Sequence, residues 1–253
     1  MEVHHHPKVE KKNFKEYFLE FLMIFLAVTL GFFAENIREG ISDSKHANEY
    51  VESMISDLKN DVSMYKTEDS INNVNCNMID TIFTLLKSNS RSGEIYYLAR
   101  KLTMLGTAGP SINAKTYLQM TGTGAFRLIK HRAVADSIAV YYQFIKAFDN
   151  WSELHRARIN NLILLNEKLF NTNIFFSIYK AINTDSDSLQ KIRQSDPAFM
   201  TNDVHEINMV TMQYQYYYGF LKLMKGRIAV ASKQAEKLIK LLEKEYHIKD
   251  QSN

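Results

Sequence analysis

The chain has 253 residues, a formal net charge of +3 and a single cysteine, Cys76. One cysteine excludes both an intramolecular disulfide and a cysteine-rich zinc site. Basic residues are spread along the chain instead of concentrated on one element, which argues against a nucleic-acid-binding protein. With only 9 glycines and 3 prolines, long stretches contain no helix breaker, which is typical of an all-α protein.

The first strong pattern is the apolar run 17–34, YFLEFLMIFLAVTLGFFA, in which Glu20 is the only charged residue. A helix of this length measures about 27 Å, close to the hydrocarbon thickness of a bilayer. The run therefore predicts a transmembrane helix over 17–37. A cleaved signal peptide fits less well, because a cut after Ala34 would place the bulky Phe32 at a position that favours small residues.

The flanking charges predict the orientation of this helix. Four lysines precede it: Lys8, Lys11, Lys12 and Lys15. Only Arg38 and Lys45 occur in the first residues after it. By the positive-inside rule, we expect 1–16 to be a cytoplasmic basic tail and 38–253 to be an extracytoplasmic helical domain. In a Gram-negative cell, the protein would lie in the inner membrane with its large domain in the periplasm.

One stripe of the predicted transmembrane helix is rich in small residues. Glu20, Ala27, Gly31 and Ala34 share this stripe, and Ala27 and Gly31 form a small-xxx-small pair that lets two helices approach closely. One interpretation is self-association through these four residues, with Glu20 facing a central seam. The alternative for Glu20 is that its carboxylate reaches the cytoplasmic interface near Lys15.

Beyond a polar joint at 40–44, apolar residues recur at helical spacing. A long helix is predicted over 44–89, with a buried stripe that begins Ala47, Val51, Met54, Leu58, Val62, Tyr65 and later includes Val74. The segments that follow are a turn at 88–93, a helix over 94–105, a loop at 106–113 and a short helix over 114–120, ended by Gly122 and Gly124. The segment 126–129 is too short to assign.

A second long helix is predicted over 132–170 and a shorter one over 174–182, followed by a polar, mobile connection at 183–202, with one or two helical turns around 189–193 as the alternative to a fully irregular segment. Asp203 is a suitable N-cap for the last helix, whose predicted stripe is Ile207, Val210, Tyr214, Tyr217, Leu221, Met224, Ile228, Ala231, Ala235, Leu238 and Leu242. Long helices must bury such stripes against one another. We therefore expect an elongated, mainly antiparallel helical bundle.

No set of catalytic residues is recognisable. The sequence has no glycine-rich phosphate loop, no nucleophile elbow and no His-Glu-x-x-His helix, so we expect a protein that is not an enzyme and has no cofactor or metal site. The histidine run at 4–6 would bind a metal only loosely. The other histidines considered are interpreted as surface residues: His131, His155, His205 and His247.

The densest aromatic cluster lies in the last predicted helix. It contains Tyr214, Tyr216, Tyr217 and Tyr218. Tyrosines pack in cores, and they also line ligand pockets. The cluster is therefore interpreted as core, with a pocket or a partner surface as the alternative.

Two stretches carry a family resemblance. The first is residues 4–36, HHHPKVEKKNFKEYFLEFLMIFLAVTLGFFAEN, and the second is residues 116–142, TYLQMTGTGAFRLIKHRAVADSIAVYY. In the second, the pattern residues are Thr116, Tyr117, Met120, Gly124, Ile129, Tyr141 and Tyr142. Both resemble an uncharacterised group of bacterial proteins with one N-terminal transmembrane helix and a helical domain of unknown function. The resemblance implies topology and fold class but no activity. The 116–129 segment is interpreted as a cap of the bundle or as a functional turn.

Three functional hypotheses remain. The first is a membrane-anchored scaffold of the cell envelope, in contact with the lipid bilayer and with either a second copy or an envelope protein. The second is an extracytoplasmic ligand-binding or sensory bundle. The third is an accessory subunit of an oligomeric channel or transporter, in which Glu20 lines a seam.

Overall fold

The computed structural model describes residues 13–88, 92–104 and 113–248. Within them it has seven α-helices and no strand: α1 (Phe14–Ser88), α2 (Ser92–Met104), α3 (Lys115–Thr123), α4 (Arg132–Leu169), α5 (Thr172–Ala181), α6 (Ser186–Gln194) and α7 (Val204–Glu245). A short 3₁₀ helix, Ala125–Leu128, follows α3. The prediction of an all-α protein is confirmed. Residues 1–12 of the predicted tail, 106–112 of the predicted loop and 89–91 of the predicted turn lie outside the described residues.

The chain divides into two compact units, Met1–Tyr50 and Val51–Asn253. In the described part of the first unit, the helix is long and apolar enough to span a membrane, and none of its most apolar 18-residue window is buried. The polar joint predicted at 40–44 is wrong, because α1 continues through it. A single glycine costs a helix only about 1 kcal/mol, and the Ser44 hydroxyl donates to the carbonyl of Gly40 at 2.8 Å within the helix.

The second unit is a bundle of the later part of α1 with α4 and α7. Asp61 of α1 contacts Tyr141 of α4, and Tyr65, further along α1, contacts Phe148, further along α4. The two helices therefore run in the same direction. Lys59 of α1 lies 3.6 Å from Glu243, near the end of α7.

Helix α7 runs opposite to α4. Tyr214, early in α7, bonds Asn166 near the end of α4, and Arg227, later in α7, lies over Phe144 near the start of α4. Helix α7 also runs opposite to α1, since Lys225 contacts Asp69 at 4.0 Å while Lys59 contacts the end of α7. The helical bundle is therefore mainly antiparallel.

The predicted stripes form the core of this bundle. In α7 every predicted position from Val210 to Leu242 is buried. In α1 the prediction fails at Val74, which is 46% exposed. The residues that follow Val74, Asn75 and Cys76, are buried instead. Apolar residues spaced three and four apart locate the buried face of a helix only to within about one residue.

Helices α2, α5 and α6 pack together at one end of the bundle. The polar segment predicted as a mobile connection is instead fastened to α2. Arg193 donates twice to Glu94, at 2.6 and 2.9 Å, and the Tyr96 hydroxyl donates to the carbonyl of Ala198 at 2.9 Å. A polar composition alone did not reveal these partners, because they lie about a hundred positions earlier in the chain.

Candidate functional site

Two acidic residues of α1 lie in the bundle core where α3 begins. Asp57 accepts hydrogen bonds from the backbone N–H of Thr116 at 3.0 Å, from the Thr116 hydroxyl at 2.6 Å and from the side-chain amide of Asn113 at 2.9 Å. The residue at the N-cap position of α3, Ala114, has no side chain that could accept such bonds. Asp57 therefore caps α3 from another helix and supplies the negative charge that a helix N-terminus favours.

Asp61 lies one turn further along α1 and is 1% exposed. It accepts from the backbone N–H of Asn113 at 3.1 Å and from the Tyr141 hydroxyl at 2.8 Å. The Tyr65 and Tyr141 hydroxyls lie 3.1 Å apart. Because Tyr141 donates its proton to Asp61, Tyr65 donates to Tyr141. The three groups thus form a buried chain of hydrogen bonds.

The environment shifts the pKa of these groups in one direction. Burial raises the pKa of Asp61, and the nearby Asp57 adds to the rise, while hydrogen bonds from Tyr141 and Asn113 oppose it. Burial also raises the pKa values of the Tyr65, Tyr141 and Tyr142 hydroxyls. The tyrosines therefore remain protonated near neutral pH and act as hydrogen-bond donors.

Two residues of the 116–142 pattern, Thr116 and Tyr141, bond the acids of this site. The Tyr117 and Tyr142 rings stack with centroids 4.2 Å apart and planes 8° apart. Met120 and Ile129, two further residues of the pattern, are also buried. Gly124 ends α3 in the left-handed region at φ 74°, a conformation that favours glycine. The predicted break at Gly124 is therefore confirmed, whereas the helix predicted to end at position 120 continues through Gly122 to Thr123. The buried Tyr142 hydroxyl has no hydrogen-bond partner among the described residues.

This arrangement is suited to holding α3 in place. The carboxylates of Asp57 and Asp61 already accept five hydrogen bonds between them from Asn113, Thr116 and Tyr141. Across the part of the chain that the structure describes, no group of three His, Cys, Asp or Glu residues is placed to hold a metal ion. We name Asp57, Asp61, Asn113, Thr116 and Tyr141 the α3 anchor.

The predicted membrane-helix residues all lie in the first unit. Ala27, Gly31 and Ala34 are exposed, and Glu20 is partly buried. A Cβ added at Gly31 would meet no atom within 4 Å. The small-residue face of this helix is therefore open to a second helix.

The four tyrosines of α7 do not form one surface. Tyr214 and Tyr217 are each 1% exposed in the bundle core, and the Tyr214 hydroxyl donates to Asn166 at 3.0 Å. Tyr216 is 48% exposed and lies against Arg158, and Tyr218 lies against Lys222. The helical spacing separates the cluster into a core pair and two surface residues.

His155 corrects a sequence-based interpretation. His131, His205 and His247 are exposed, but His155 is 4% exposed, and its ring lies 5.6 and 5.7 Å from those of Tyr217 and Phe220. Burial lowers the pKa of His155, so the ring is neutral at pH 7. The signal for its burial was present in the sequence, since position 155 lies four residues before the buried Ile159.

Sequence reasoning missed the α3 anchor. Asp57 lies three residues after Met54, and Asp61 lies three residues after Leu58, so both acids occupy the buried face of α1. A carboxylate on a predicted core stripe is the signal, because such groups are rarely buried without hydrogen-bond partners. The identity of those partners was not readable, since Thr116 lies 59 positions away.

Comparison of this chain with models of protein families, with functionally characterised proteins and with solved structures finds no match.

Proposed function

We propose that this protein is a membrane-anchored helical scaffold of the bacterial cell envelope, which binds a second copy or another envelope protein. In this proposal the helix over 17–37 spans the cytoplasmic membrane, with 1–16 inside and the helical domain over 38–253 outside. The protein performs no catalysis of its own. It acts by holding a helical surface at a fixed place on the membrane.

One observation carries this proposal. Large apolar side chains cover the first part of α1 on all sides and are exposed: Phe14, Tyr17, Phe18, Leu19, Phe21, Met23, Ile24, Phe25, Leu26, Val28, Leu30, Phe32, Phe33, Ile37 and Ile41. Soluble monomers rarely expose an apolar surface of this extent. A helix that is apolar on every side is stable in the hydrocarbon core of a lipid bilayer.

The proposed orientation is tested by labelling cysteines in cells. In a Cys76→Ala background, Ser70→Cys places a thiol at an exposed position of α1, and Glu2→Cys places one in the N-terminal tail. We expect a membrane-impermeant maleimide to label Ser70→Cys in intact spheroplasts of a Gram-negative host, and Glu2→Cys only after lysis. The Cys76→Ala chain alone is the unlabelled control. Labelling of Glu2→Cys from outside would contradict the orientation.

Self-association is tested at Gly31. We expect wild-type protein in a mild detergent to have a mass that is a defined multiple of 29.4 kDa, and Gly31→Leu to reduce it to that of a monomer, because the added side chain separates two closely packed helices. Light scattering coupled to size-exclusion chromatography measures both.

The matched control for Gly31→Leu is Thr29→Leu. Position 29 is about 200° away around the helix, so the same introduced side chain, a leucine, there leaves the Ala27–Gly31 face unchanged. We expect Thr29→Leu to keep the wild-type mass. Monomeric wild-type protein would leave the helix as a simple anchor, and the partner would then be a different envelope protein.

A further inference from the structure

A cleft of about 290 Å³ lies between α2, α4 and α5. This is at the lower end of the range of small-molecule sites. Polar groups lie on its α2 and α4 sides, and phenylalanine rings of the α4–α5 corner form much of the rest. The cleft is separate from the α3 anchor, and none of its lining residues belongs to the first unit.

Asn166 lines this cleft and carries an unused donor. Its side chain is 3% exposed, and its Oδ1 accepts from the Tyr214 hydroxyl at 3.0 Å. That bond fixes the orientation of the amide and leaves Nδ2 without a partner among the described residues. A buried donor without an acceptor destabilises the protein, because it has lost its hydrogen bonds to water. An acceptor supplied by a ligand would remove this cost.

Arg100 also lines the cleft, and it carries a second unused donor and a positive charge. Its Nε is buried and has no hydrogen-bond partner among the described residues. The guanidinium lies over the rings of Phe175 and Tyr179, at 5.7 and 5.1 Å from their centroids. No described acidic side chain forms an ion pair with it. The aromatic rings therefore hold the cation in place without neutralising it.

The start of α5 adds to the positive potential. Thr172, the first residue of α5, lines the cleft, and the first turn of this ten-residue helix contains no acidic residue. The partial positive charge of a helix N-terminus favours an anion. The helix terminus only adds to the positive potential. The two unused donors of Asn166 and Arg100 are the separate observation that indicates a ligand.

The remaining lining residues indicate which kind of anion the cleft can bind. Phe170, Phe175 and Phe176 line the cleft, and Phe176 is 58% exposed, so the site also offers apolar surface to a ligand. Glu167 is exposed, and among the described residues it is the only acidic one that lines the cleft. Its charge disfavours a ligand with two negative charges.

We propose that the α2–α4–α5 cleft binds a small monocarboxylate with an apolar or aromatic body. The carboxylate accepts hydrogen bonds from Asn166 Nδ2 and from the Arg100 guanidinium, and the body of the ligand lies against Phe175 and Phe176. This site is independent of membrane anchoring and self-association.

The test uses the full chain in a non-ionic detergent and isothermal titration with 3-phenylpropionate, with detergent micelles alone as the blank. We expect saturable binding with a dissociation constant of about 1 mM, as suits a ligand of this size. The neutral amide of the same acid and 2-phenylethylamine have a similar apolar body without the carboxylate. We expect both to bind at least about tenfold more weakly.

Three variants identify the binding groups. Arg100→Gln and Asn166→Asp are each expected to weaken 3-phenylpropionate binding about tenfold or more, the first by loss of charge and the second by repulsion. Asn166→Asp keeps an acceptor for Tyr214. Arg156→Gln, an exposed arginine on α4, is the matched control and is expected to bind as the wild type does. Arg100→Lys is expected to recover part of the affinity, which a merely structural role for Arg100 would not explain.

The proposal would be overturned by equal binding of the acid and its amide, by tighter binding of the amine, or by the absence of saturable binding of 3-phenylpropionate up to about 10 mM. If a variant fails to fold, the comparison of acid, amide and amine on the wild type still decides the matter. Unchanged affinity in folded Arg100→Gln would equally refute the assignment.

Discussion

Gly93→Ala is expected to destabilise the helical domain by about 3 kcal/mol, the largest effect of an added methyl group among the glycines that the structure describes. A Cβ at position 93 would lie 1.9 Å from the carbonyl oxygen of Ile192 and 2.7 Å from that of Ser195. Both are backbone atoms, so no side-chain rotation relieves the clash, and α2 must move away from α6.

That movement would break further contacts. The backbone N–H of Gly93 donates to the carbonyl of Ser195 at 3.0 Å. Its neighbour Ser92 bonds Asp196 through its N–H at 2.9 Å and Pro197 through its hydroxyl at 2.6 Å. The expected destabilisation corresponds to a fall in Tm of about 6–12 °C for a domain of this size, measured by circular dichroism at 222 nm in detergent.

Gly226→Ala is the matched control. Gly226 is an exposed residue inside α7, and a Cβ there would meet no atom within 4 Å. The same substitution is therefore expected to stabilise the domain by up to about 1 kcal/mol, because alanine favours a helix over glycine. If the two substitutions changed the Tm equally, α2 and α6 would not approach each other as closely as the structure shows.

The second large effect is expected at the α3 anchor. Asp57→Ala would leave the N–H of Thr116, its hydroxyl and the amide of Asn113 without their acceptor. We expect a loss of about 3 kcal/mol in the free energy of unfolding, since buried donors without partners are costly. Guanidinium unfolding followed by fluorescence of Trp151, the single tryptophan, measures it.

Two further variants separate the capping role of Asp57 from loss of a charge. Thr116→Val removes only the hydroxyl bond and is expected to cost about 1 kcal/mol. Asp80→Ala changes an exposed acid on the same helix and is expected to stay within about 0.5 kcal/mol of wild type. Hydrogen exchange of the α3 amides should accelerate selectively in Asp57→Ala. Unchanged exchange there would mean that α3 does not depend on this cap.

Those two sites differ in how far they could be read from the sequence. Gly93 lies in a segment that was predicted only as the end of a turn, and nothing near it in the chain indicates that Ile192 lies against it. Asp57 could have been singled out as an acid on an apolar stripe. Its role as the cap of α3 could not, because Ala114 occupies the N-cap position and gives no capping signal.

The cleft shows the same distinction. Asn166 lies on the buried stripe of α4, four residues after Leu162, so its burial was readable. Whether its amide was satisfied depended on Tyr214, 48 positions later. Arg100 has no feature in the sequence that distinguishes it from any exposed arginine on a helix.

The sequence by itself determined helices α2, α3, α4, α5 and α7, the buried stripe of α7, the N-cap at Asp203, whose side chain accepts from His205 at 2.8 Å, and an N-terminal helix long and apolar enough to span a membrane. These features follow from periodicity and capping, which act over a few neighbouring residues. Only the tertiary structure decided which polar groups are satisfied across helices: the partners of Asp57 and Asp61, the close approach at Gly93 and the unused donors of Asn166 and Arg100. Such a hydrogen bond or backbone contact depends on distances of a few ångströms between residues that are far apart in the chain. The spacing of neighbouring residues in the sequence does not predict those distances.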